Sequence, residues 1–546
     1  MREHANILPL RILTARRWGD IVAHVKTTPE AVTDKQHTAS AAEPRTTLFE
    51  QRERSIILLL CALAALRIFV YSAAFPVFAN IDEQLHLDTV VRYAHLRIPR
   101  AVAPFCPEAE VLTVGCASGE YSRLRPGASR PPPLWSLSQE EAEVRLRLLL
   151  PVYRSVFRSI YNTEATQPPV YYALAGLWYD VGRALGLHGG VLLHWLRLLN
   201  VPICALVVWL SYVFARKFFA GNSFVRLGAP FLVAFLPQDV FYCINNDVLS
   251  PLCAGAALYC LLLIYLEPQS SRTFHALTGL LVAAAFLVKF TNAPVVVLLG
   301  IVVTGRVFSA IRTRKLSDEA PKLAAATLAA GLPIAAWIVR SKLVFGDATG
   351  SAAKLAKLGW TLKPAAEMFH HPILSPHGFV GYWGDLISAY WRGEITWGGE
   401  ALAHSGVDVM YAASTALFVG AAVVVLIARR RFPRDAERVP LALCLAAFAI
   451  SVLMLIALSM AYDFGNCVNP SRAHPFFSQG RLISGTLIPL AVLYVAGLDT
   501  IVGSTRRAIS AAVLVLIVLA ATISELLLAL PVFGSAYNFY HMIFRS

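Results

Sequence analysis

Two adjacent carboxylates, Asp82 and Glu83, directly follow the first long apolar run of the chain, within Asn-Ile-Asp-Glu-Gln-Leu-His. If that run crosses a membrane, the pair lies at the water boundary, where carboxylates are costly unless they are solvated, paired or functional. A carboxylate beside bound substrate can take a proton from a hydroxyl or amine nucleophile. His86 lies one helical turn further on, so Asp82 and His86, with Glu83, are also candidate ligands of a divalent metal. A solvated helix cap is the alternative, because acidic side chains favour the start of a helix.

Four cations are candidates for binding an anion such as a lipid-linked phosphate. Lys289 lies at a break between two apolar runs, and Arg481 follows Gln-Gly before a late apolar run. Arg472 and Arg340 are further cations near the ends of apolar runs. Arginine is suited to bidentate phosphate contacts, and lysine supplies a point charge. Contact with ordinary lipid head groups explains each of the four when it is taken singly.

Two polar segments are candidates for positioning a substrate. Gln167-Pro-Pro-Val-Tyr171-Tyr172 begins with two prolines that set a rigid entry into a helix. Its tyrosines, with Trp178 and Tyr179, predict an aromatic belt at a membrane interface. The second segment is the junction at Asn246 and Asp247, for which helix capping is the simpler interpretation.

The composition identifies the elements that must carry these residues. Of 546 residues, 57% are hydrophobic and 15% are charged, whereas soluble chains have roughly 45–50% apolar and about 25% charged residues. A membrane-spanning helix needs about 20 mostly apolar residues. The sequence predicts an all-α integral membrane protein with about eleven transmembrane helices. The predicted spans are residues 55–78, 196–215, 224–243, 248–266, 274–288, 293–308, 323–345, 407–428, 439–460, 482–502 and 508–530.

The net charge of +14 reflects the orientation of the chain in a membrane rather than binding to nucleic acid. The short basic loops all fall on one side if the N-terminus is cytoplasmic and residues 170–187 lie on the outer surface as an amphipathic helix. These loops lie at Arg216 and Lys217, at Arg272, at residues 306–315 and 429–438, and at Arg506 and Arg507.

This topology predicts the organisation of the chain. Residues 1–54 form a cytoplasmic tail, residues 55–530 a membrane domain, and residues 531–546 a periplasmic tail. Three loops lie outside, at residues 79–195, 346–406 and 461–481. Cys106 and Cys116 share the first loop, where an oxidising periplasm would permit a disulfide; two free thiols are the alternative. The oligomeric state is not predicted.

One outer face therefore gathers the acidic pair, the isolated cations and the large loops. A lipid-phosphate substrate needs this combination: a carboxylate for proton transfer, cations for a leaving phosphate and an apolar groove for the lipid. Arg67, in the middle of the first span, is expected to face the bundle interior or a wet cavity, and no role is assigned to it.

The order of these motifs resembles the GT-C-type membrane glycosyltransferases, in particular the protein mannosyltransferase and lipid A aminoarabinose transferase-like branch. The resemblance runs over residues 55–530 as short motifs: Asp-Glu after the first span, Pro-Pro-x-Tyr-Tyr, Arg-Leu-x-Asn, Asn-Asp, Lys-Phe-Thr and Gln-Gly-Arg-Leu. Such enzymes move a sugar from a polyprenyl-phosphate carrier to an acceptor outside the cytoplasm, usually with inversion. The resemblance implies a glycosyltransferase of the EC 2.4 class in a bacterial inner membrane, with a periplasmic active site.

The resemblance also implies roles for individual residues. Asp82 would be the general base that activates the acceptor, and Glu83 would position the acceptor or assist. Lys289 and Arg481 would hold the donor phosphate, with Arg340 and Arg472 as further candidates. The residues that would position substrate are Gln167, Tyr171, Tyr172, Asn246 and Asp247. The resemblance fixes no cofactor, but some relatives bind a divalent metal at the acidic loop, and Asp82 and His86 leave such a metal open.

This chain departs from the mannosyltransferases in having Gln-Pro-Pro in place of His-Pro-Pro and no large soluble domain between spans. Both differences weaken a protein acceptor, and the acceptor stays open among a glycolipid, a glycan and a protein. Two other functions remain open: a transporter or flippase for a lipid-linked or anionic substrate, and a lipid-binding scaffold without activity. Transporters usually place polar segments near the bilayer midplane in two related halves, whereas the polar residues here gather at one surface.

Overall fold

The structure, a computed structural model, describes residues 48–79, 82–118, 132–159, 161–267, 269–398, 400–428, 435–467, 469–503 and 506–543. The chain divides into two compact units, Met1–Gln51 and Arg52–Ser546, and the second holds all the candidate site residues. Most of the predicted cytoplasmic tail, together with Asn80, Ile81 and the basic residues 429–434, lies outside the described residues.

Long apolar helices dominate the described part of the chain. Nine segments there are long and apolar enough to cross a membrane: Gln51–Ala74, Gly189–Phe218, Asn246–Leu266, Phe290–Arg312, Leu316–Phe345, Ser405–Ile427, Glu437–Ala461, Gly480–Val502 and Arg507–Phe533. Two shorter apolar helices are Ser223–Phe235 and Arg272–Val288. Each predicted span overlaps one of these, although spans 55–78 and 224–243 extend beyond the helix ends at Ala74 and Phe235. The prediction of a polytopic helical membrane protein is confirmed.

The two short helices end early for local reasons. The first stops at Phe235 because Pro237 follows, and a residue before proline is disfavoured in helical conformation. The second stops at Val288 because Lys289 is extended, with φ −160° and ψ 140°. Both ends leave irregular backbone at one end of the bundle, which is where the candidate site lies.

Shorter elements cover that end of the bundle. The helices are Glu83–Ala94, Pro107–Cys116, Gln139–Ser159, Pro169–Ala184, Ser351–Leu358, Ala365–Met368, Pro376–Arg392 and Phe539–Ile543. Turns of 3-10 helix lie at Leu134–Ser136, Thr163–Thr166, Asp239–Tyr242, Asn246–Leu249, Phe290–Asn292, Pro372–Leu374 and Gly480–Thr486. Strand Thr361–Leu362 pairs antiparallel with Tyr462–Asp463, and Thr396–Trp397 pairs antiparallel with Glu400–Ala401. The first pair joins two of the predicted outer loops.

Helix Pro169–Ala184 differs from the expectation for its aromatic residues. Tyr171 and Tyr172 are 1% and 0% exposed, because this face packs on helix Glu83–Ala94. Trp178 stacks on Trp195 with ring centroids 4.3 Å apart. The predicted aromatic belt is therefore wrong: the rings pack inside the protein, and most exposed positions of the helix are aliphatic, including Leu174, Leu177 and Val181.

A buried ion pair joins the first and last long helices. The Arg67 guanidinium donates to both carboxylate oxygens of Glu525, at 3.0 and 2.7 Å, and to the Tyr242 hydroxyl at 2.6 Å. Both charged side chains are only 9% exposed. Arg67 thus faces the interior as expected, and its partners give it a structural role.

We expect Glu525→Gln to destabilise the protein by about 3 kcal/mol or more, because it leaves the Arg67 charge buried without a partner. The measurement is the free energy of unfolding in detergent, with heat or denaturant as the perturbant. The double variant Arg67→Met with Glu525→Leu is the control, since it removes both charges and should recover most of the loss. A single variant as stable as wild type would contradict this role.

Candidate functional site

The site is built around a buried ion pair between Glu83 and Arg197. The Glu83 carboxylate is fully buried and accepts from Arg197 Nε at 2.7 Å and Nη2 at 2.6 Å. It also accepts from the backbone N–H groups of Phe78 at 2.7 Å and Ile244 at 2.9 Å. With four donors and no exposed atom, Glu83 does not contact a substrate in this arrangement. These contacts give Glu83 a role in holding the fold together, in place of the predicted role of positioning the acceptor.

Asp82 is held so that its carboxylate faces away from this ion pair. The residue precedes helix Glu83–Ala94 and lies in the left-handed region, with φ 66° and ψ 1°. Few residues other than glycine adopt this conformation, and aspartate is among those that tolerate it. Its backbone carbonyl accepts from the N–H groups of Leu85 and His86. The carboxylate stays 33% exposed and accepts from Arg481 Nη2 at 3.1 Å.

Arg481 lies between two carboxylates. Besides Asp82, its Nε is 3.5 Å from Oε2 of Glu394. The side chain is 17% exposed. Its position depends on Gly480, where a Cβ atom would lie 2.0 Å from the backbone nitrogen of Tyr390. Glycine is therefore the residue that permits the 3-10 turn Gly480–Thr486 to approach helix Pro376–Arg392 so closely.

Glu394 belongs to this site, and the sequence did not indicate it. Its N–H donates to Asp239 Oδ2 at 2.7 Å, and its Oε1 is buried without a hydrogen-bond partner. Burial raises the pKa of Glu394, and the nearby carboxylates of Asp239 and Asp247 raise it further. Arg481 opposes these effects, and the resulting pKa is about 7. The preceding Gly393 has φ +86°, and a Cβ there would meet the Asp239 carboxylate at 2.0 Å. The only signal in the sequence is this Gly-Glu pair within a loop.

Lys289 and Asp247 form the buried floor of the same cluster. Lys289 Nζ is 2.6 Å from Asp247 Oδ2, and the two side chains are 9% and 0% exposed. The second Asp247 oxygen and the Asn246 side-chain oxygen are buried without partners. Lys289 is near enough to Glu394 and His86 to lower the pKa of each.

A second set of polar groups borders Asp82. Glu164 accepts from Lys354 at 2.7 Å, and His86 Nδ1 is 2.8 Å from the Tyr172 hydroxyl. Burial alone would raise the pKa of Glu164, but Lys354 and the other cations nearby hold it well below its usual range. Burial lowers the pKa of His86 and so favours the neutral ring. Gln167 lies at the edge of this set, with its side-chain oxygen buried and unpartnered.

Two predicted phosphate ligands have their contacts elsewhere. Arg340 donates to the carbonyl of Pro99 at 2.6 Å and stacks on Trp337, 4.6 Å from its ring centroid. Arg472 is 65% exposed and pairs with Asp463 at 2.8 Å. Each cation is bound by a nearer partner than the Asp82 cluster, so the structure brings neither of them to it.

The structure also bears on the metal and disulfide hypotheses. His86 and Asp82 face different partners, Tyr172 and Arg481. Among the described residues, no group of three or more His, Cys, Asp or Glu side chains is placed to hold a metal ion. Cys106 and Cys116 are both free thiols, which corresponds to the alternative to a disulfide.

The chain belongs to the family described as Predicted membrane protein (DUF2142), whose model matches residues 66–373, more than half of the chain. No curated protein sequence matches it significantly.

The solved structures with distant similarity to this chain include the following two. One is the oligosaccharyltransferase AglB from Archaeoglobus fulgidus in complex with an inhibitory peptide and a dolichol-phosphate, with 13% identity, a TM-score of 0.43 and coverage of 89% of this chain and 56% of that one. The other is ArnT from Cupriavidus metallidurans bound to undecaprenyl phosphate, with 13% identity, a TM-score of 0.42 and coverage of 90% and 75%. The chain thus spans little more than half of the oligosaccharyltransferase. At this distance neither structure assigns an activity, and the case for function rests on the site.

We expect the Glu394 carboxyl to titrate with a midpoint near pH 7 rather than its ordinary 4.5. The folded protein holds this proton more tightly than the unfolded chain does. The contribution of the proton to stability is therefore present below about pH 4.5 and is lost as the pH rises through about 7. The measurement is the infrared difference between wild type and Glu394→Gln across this range, together with the unfolding midpoint at each pH.

Glu400→Gln is the matched control, because Glu400 is an exposed glutamate in the hairpin that follows Glu394. A wild-type carboxyl signal that titrates near pH 4.5 would show that Glu394 is solvated rather than buried against its acidic neighbours.

Proposed function

We propose that this protein is a membrane glycosyltransferase that moves a sugar from a polyprenyl-phosphate carrier to an extracytoplasmic acceptor. The observation that carries the proposal is the Asp82–Arg481 pair. A partly exposed carboxylate, held in a strained backbone conformation, faces a guanidinium that it shares with Glu394. Strain of this kind concentrates at functional sites. The pair combines the two groups that sugar transfer from a lipid phosphate needs, a base and a phosphate ligand.

In the proposed reaction, Asp82 accepts the proton of the acceptor hydroxyl. The acceptor oxygen then attacks the anomeric carbon of the sugar and forms the new glycosidic bond. The bond from that carbon to the phosphate oxygen breaks, and the polyprenyl phosphate leaves with the electron pair. One displacement of this kind inverts the anomeric configuration. Arg481 stabilises the negative charge that develops on the leaving phosphate.

Arg481 is suited to binding either a carboxylate or a phosphate, because its guanidinium presents several N–H donors in one plane. In the structure it donates to Asp82, and an incoming phosphate competes with that carboxylate for the guanidinium. Phosphate binding therefore frees Asp82 to act as a base. Lys289 adds a second positive charge from the floor of the site, where Asp247 holds its ammonium group.

The remaining predicted residues shape the site in this proposal. Asn246 and Gln167 offer buried, unpartnered oxygens that can accept from sugar hydroxyls. Tyr171 and Tyr172 are buried and act through the packing of their helix and through the bond to His86. The proposed setting is a bacterial inner membrane with the site on the periplasmic side. The donor is a polyprenyl-phosphate sugar.

Transport of a lipid-linked anion receives less support from the geometry. A transporter would use charge near the middle of the bundle, but Arg67 there is already bound by Glu525 and Tyr242. The charges of the candidate site lie instead at one end of the bundle, around Asp82. This arrangement favours chemistry at a surface over passage through the bundle.

We expect Asp82→Asn to lower sugar transfer by about 100-fold or more, since general-base catalysis contributes roughly that factor. Binding of undecaprenyl phosphate should be retained, because Arg481 and Lys289 are unchanged. The assay follows radiolabelled undecaprenyl-phosphate pentoses and hexoses with purified full-length protein in liposomes of bacterial total lipid, with and without EDTA. Asp385→Asn, an exposed aspartate paired with His474, is the control. Transfer at the wild-type rate by Asp82→Asn would refute the assignment of the base.

We expect Arg481→Gln to weaken binding of undecaprenyl phosphate by about tenfold or more, the range for loss of a hydrogen bond to a charged group. Arg481→Lys should recover only part of the affinity because it keeps the charge and loses the planar donors. The measurement is equilibrium binding of the carrier without a sugar. Arg472→Gln, an exposed arginine of the same predicted outer face, should bind like wild type. Equal losses in both glutamine variants would point to general surface charge.

A further inference from the structure

Two carboxylates share one edge of the Arg481 guanidinium. Asp82 Oδ2 accepts from Nη2 at 3.1 Å, and Glu394 Oε2 lies 3.5 Å from Nε. These two nitrogens form an edge that can bind a carboxylate or a phosphate through both atoms at once. In this protein the same edge of Arg197 binds both oxygens of Glu83, at 2.7 and 2.6 Å. A lipid phosphate on this edge of Arg481 would therefore lie beside Glu394 as well as Asp82.

The two groups that face each other on the Glu394 side lack hydrogen bonds. Oε1 of Glu394 is buried and has no hydrogen-bond partner among the described residues. Nε of Arg481 is also buried without a partner, and its distance of 3.5 Å to Glu394 Oε2 is longer than an ordinary N–H···O bond. Buried polar atoms without partners are rare in folded proteins. An anion bound at this edge would supply the acceptor that Nε lacks.

The backbone holds Glu394 in this place from both sides. Its N–H donates to Asp239 Oδ2 at 2.7 Å. The preceding Arg392 pairs with Asp408 at 2.9 Å and donates to the carbonyl of Gly393 at 2.9 Å. The side chain is 13% exposed, so a ligand that reaches Arg481 can contact it.

The surroundings of Glu394 favour its neutral form. Burial raises the pKa of Glu394, and the carboxylates of Asp239 and Asp247 raise it further. Arg481 and Lys289 oppose them, and the resulting pKa is about 7. A phosphate on the Arg481 edge adds another negative charge next to the carboxyl, and like charges in close contact disfavour ionisation. Because Oε2 faces the guanidinium, the proton of the neutral acid belongs on Oε1, where it becomes a hydrogen-bond donor.

We propose that Glu394 acts as a neutral acid that donates a hydrogen bond from Oε1 to a phosphate oxygen of the lipid donor, beside Arg481. The proton stays on Glu394, so the displacement at the sugar carbon is unchanged and Asp82 remains the base. The hydrogen bond strengthens as the leaving phosphate gains negative charge, which makes Glu394 a catalytic residue that contacts the donor. This inference rests on the proposed function, because it takes a polyprenyl phosphate as the ligand.

The test is the pH dependence of lipid binding to the purified full-length protein in phosphatidylcholine nanodiscs. The probe is undecaprenyl methyl phosphate, which is a phosphate diester like the proposed donor. A diester is needed because a phosphate monoester itself titrates near about pH 6. Any change in affinity with pH then belongs to the protein.

We expect wild type to bind the probe about tenfold or more weakly at about pH 8.5 than at about pH 6, because binding requires the proton of Glu394. Glu394→Gln keeps an N–H donor and cannot ionise, so it should bind at every pH as tightly as wild type binds at low pH. Glu394→Leu loses the donor, so it should bind about tenfold or more weakly than Glu394→Gln, with no dependence on pH.

Glu400→Gln, in the exposed hairpin that follows Glu394, is the matched control and should keep the pH dependence of wild type. Three results would overturn the inference: wild-type binding that does not change with pH, the wild-type pH dependence in Glu394→Gln, or equally tight binding by Glu394→Leu and Glu394→Gln. Should Glu394→Leu not fold, the pH profiles of wild type and Glu394→Gln decide by themselves.

Failure of this inference is distinguishable from failure of the proposed function. A wild-type protein that does not bind the probe at any pH would contradict both. A protein that binds the probe equally at every pH loses only the role of Glu394. Normal sugar transfer by Asp82→Asn would refute the assigned base and leave the binding results for Glu394 standing.

Discussion

The ion pair between Glu83 and Arg197 is the interaction on which the candidate site depends. Arg197 binds Glu83 and also donates to the carbonyls of Ser72 and Pro76, where the first long helix ends. Glu83 in turn accepts from Ile244, in the irregular segment after helix Ser223–Phe235. One buried pair thus ties together three parts of the chain. Removing one partner of such a pair typically costs about 3–5 kcal/mol, because the other charge stays buried. With Glu83 directed inward, its neighbour Asp82 is left facing the site.

The site that results consists of oppositely charged side chains in close contact, and most of them are largely buried. Arg481 is shared between Asp82 and Glu394, and Lys289 is held by Asp247. In a medium of low polarity these pairs hold their geometry before any substrate arrives. In the proposed reaction, a phosphate would therefore meet cations that are already oriented, and it would replace a carboxylate rather than order a flexible side chain. Glu394, whose side chain is 13% exposed and whose pKa is raised to about 7, gives the site a group that changes charge near neutral pH.

The features that depend on local pattern were predictable. Runs of about 20 apolar residues have few alternatives to a membrane helix, and the long helices follow those runs. Asp82, Lys289 and Arg481 were candidates because a charge at the edge of an apolar run is unusual in itself, and the structure brings all three into one cluster. Glu83 was a candidate for the same reason, although its structural partner, Arg197, lies 114 positions away. Periodicity and composition contain no information about such a pairing.

The sequence by itself determined that the chain is a helical membrane protein and that its unusual charges collect toward one end of the bundle. Both properties follow from the cost of placing polar groups in lipid, which acts on each segment separately. Only the tertiary structure decided the partner of each side chain: Arg197 for Glu83, Asp82 and Glu394 for Arg481, and the Pro99 carbonyl for Arg340. It also placed Tyr171 and Tyr172 inside the protein. These choices depend on the packing of helices that are distant in the chain. Two side chains become partners when the fold brings them close in space. For residues on distant helices, their spacing along the sequence does not predict this.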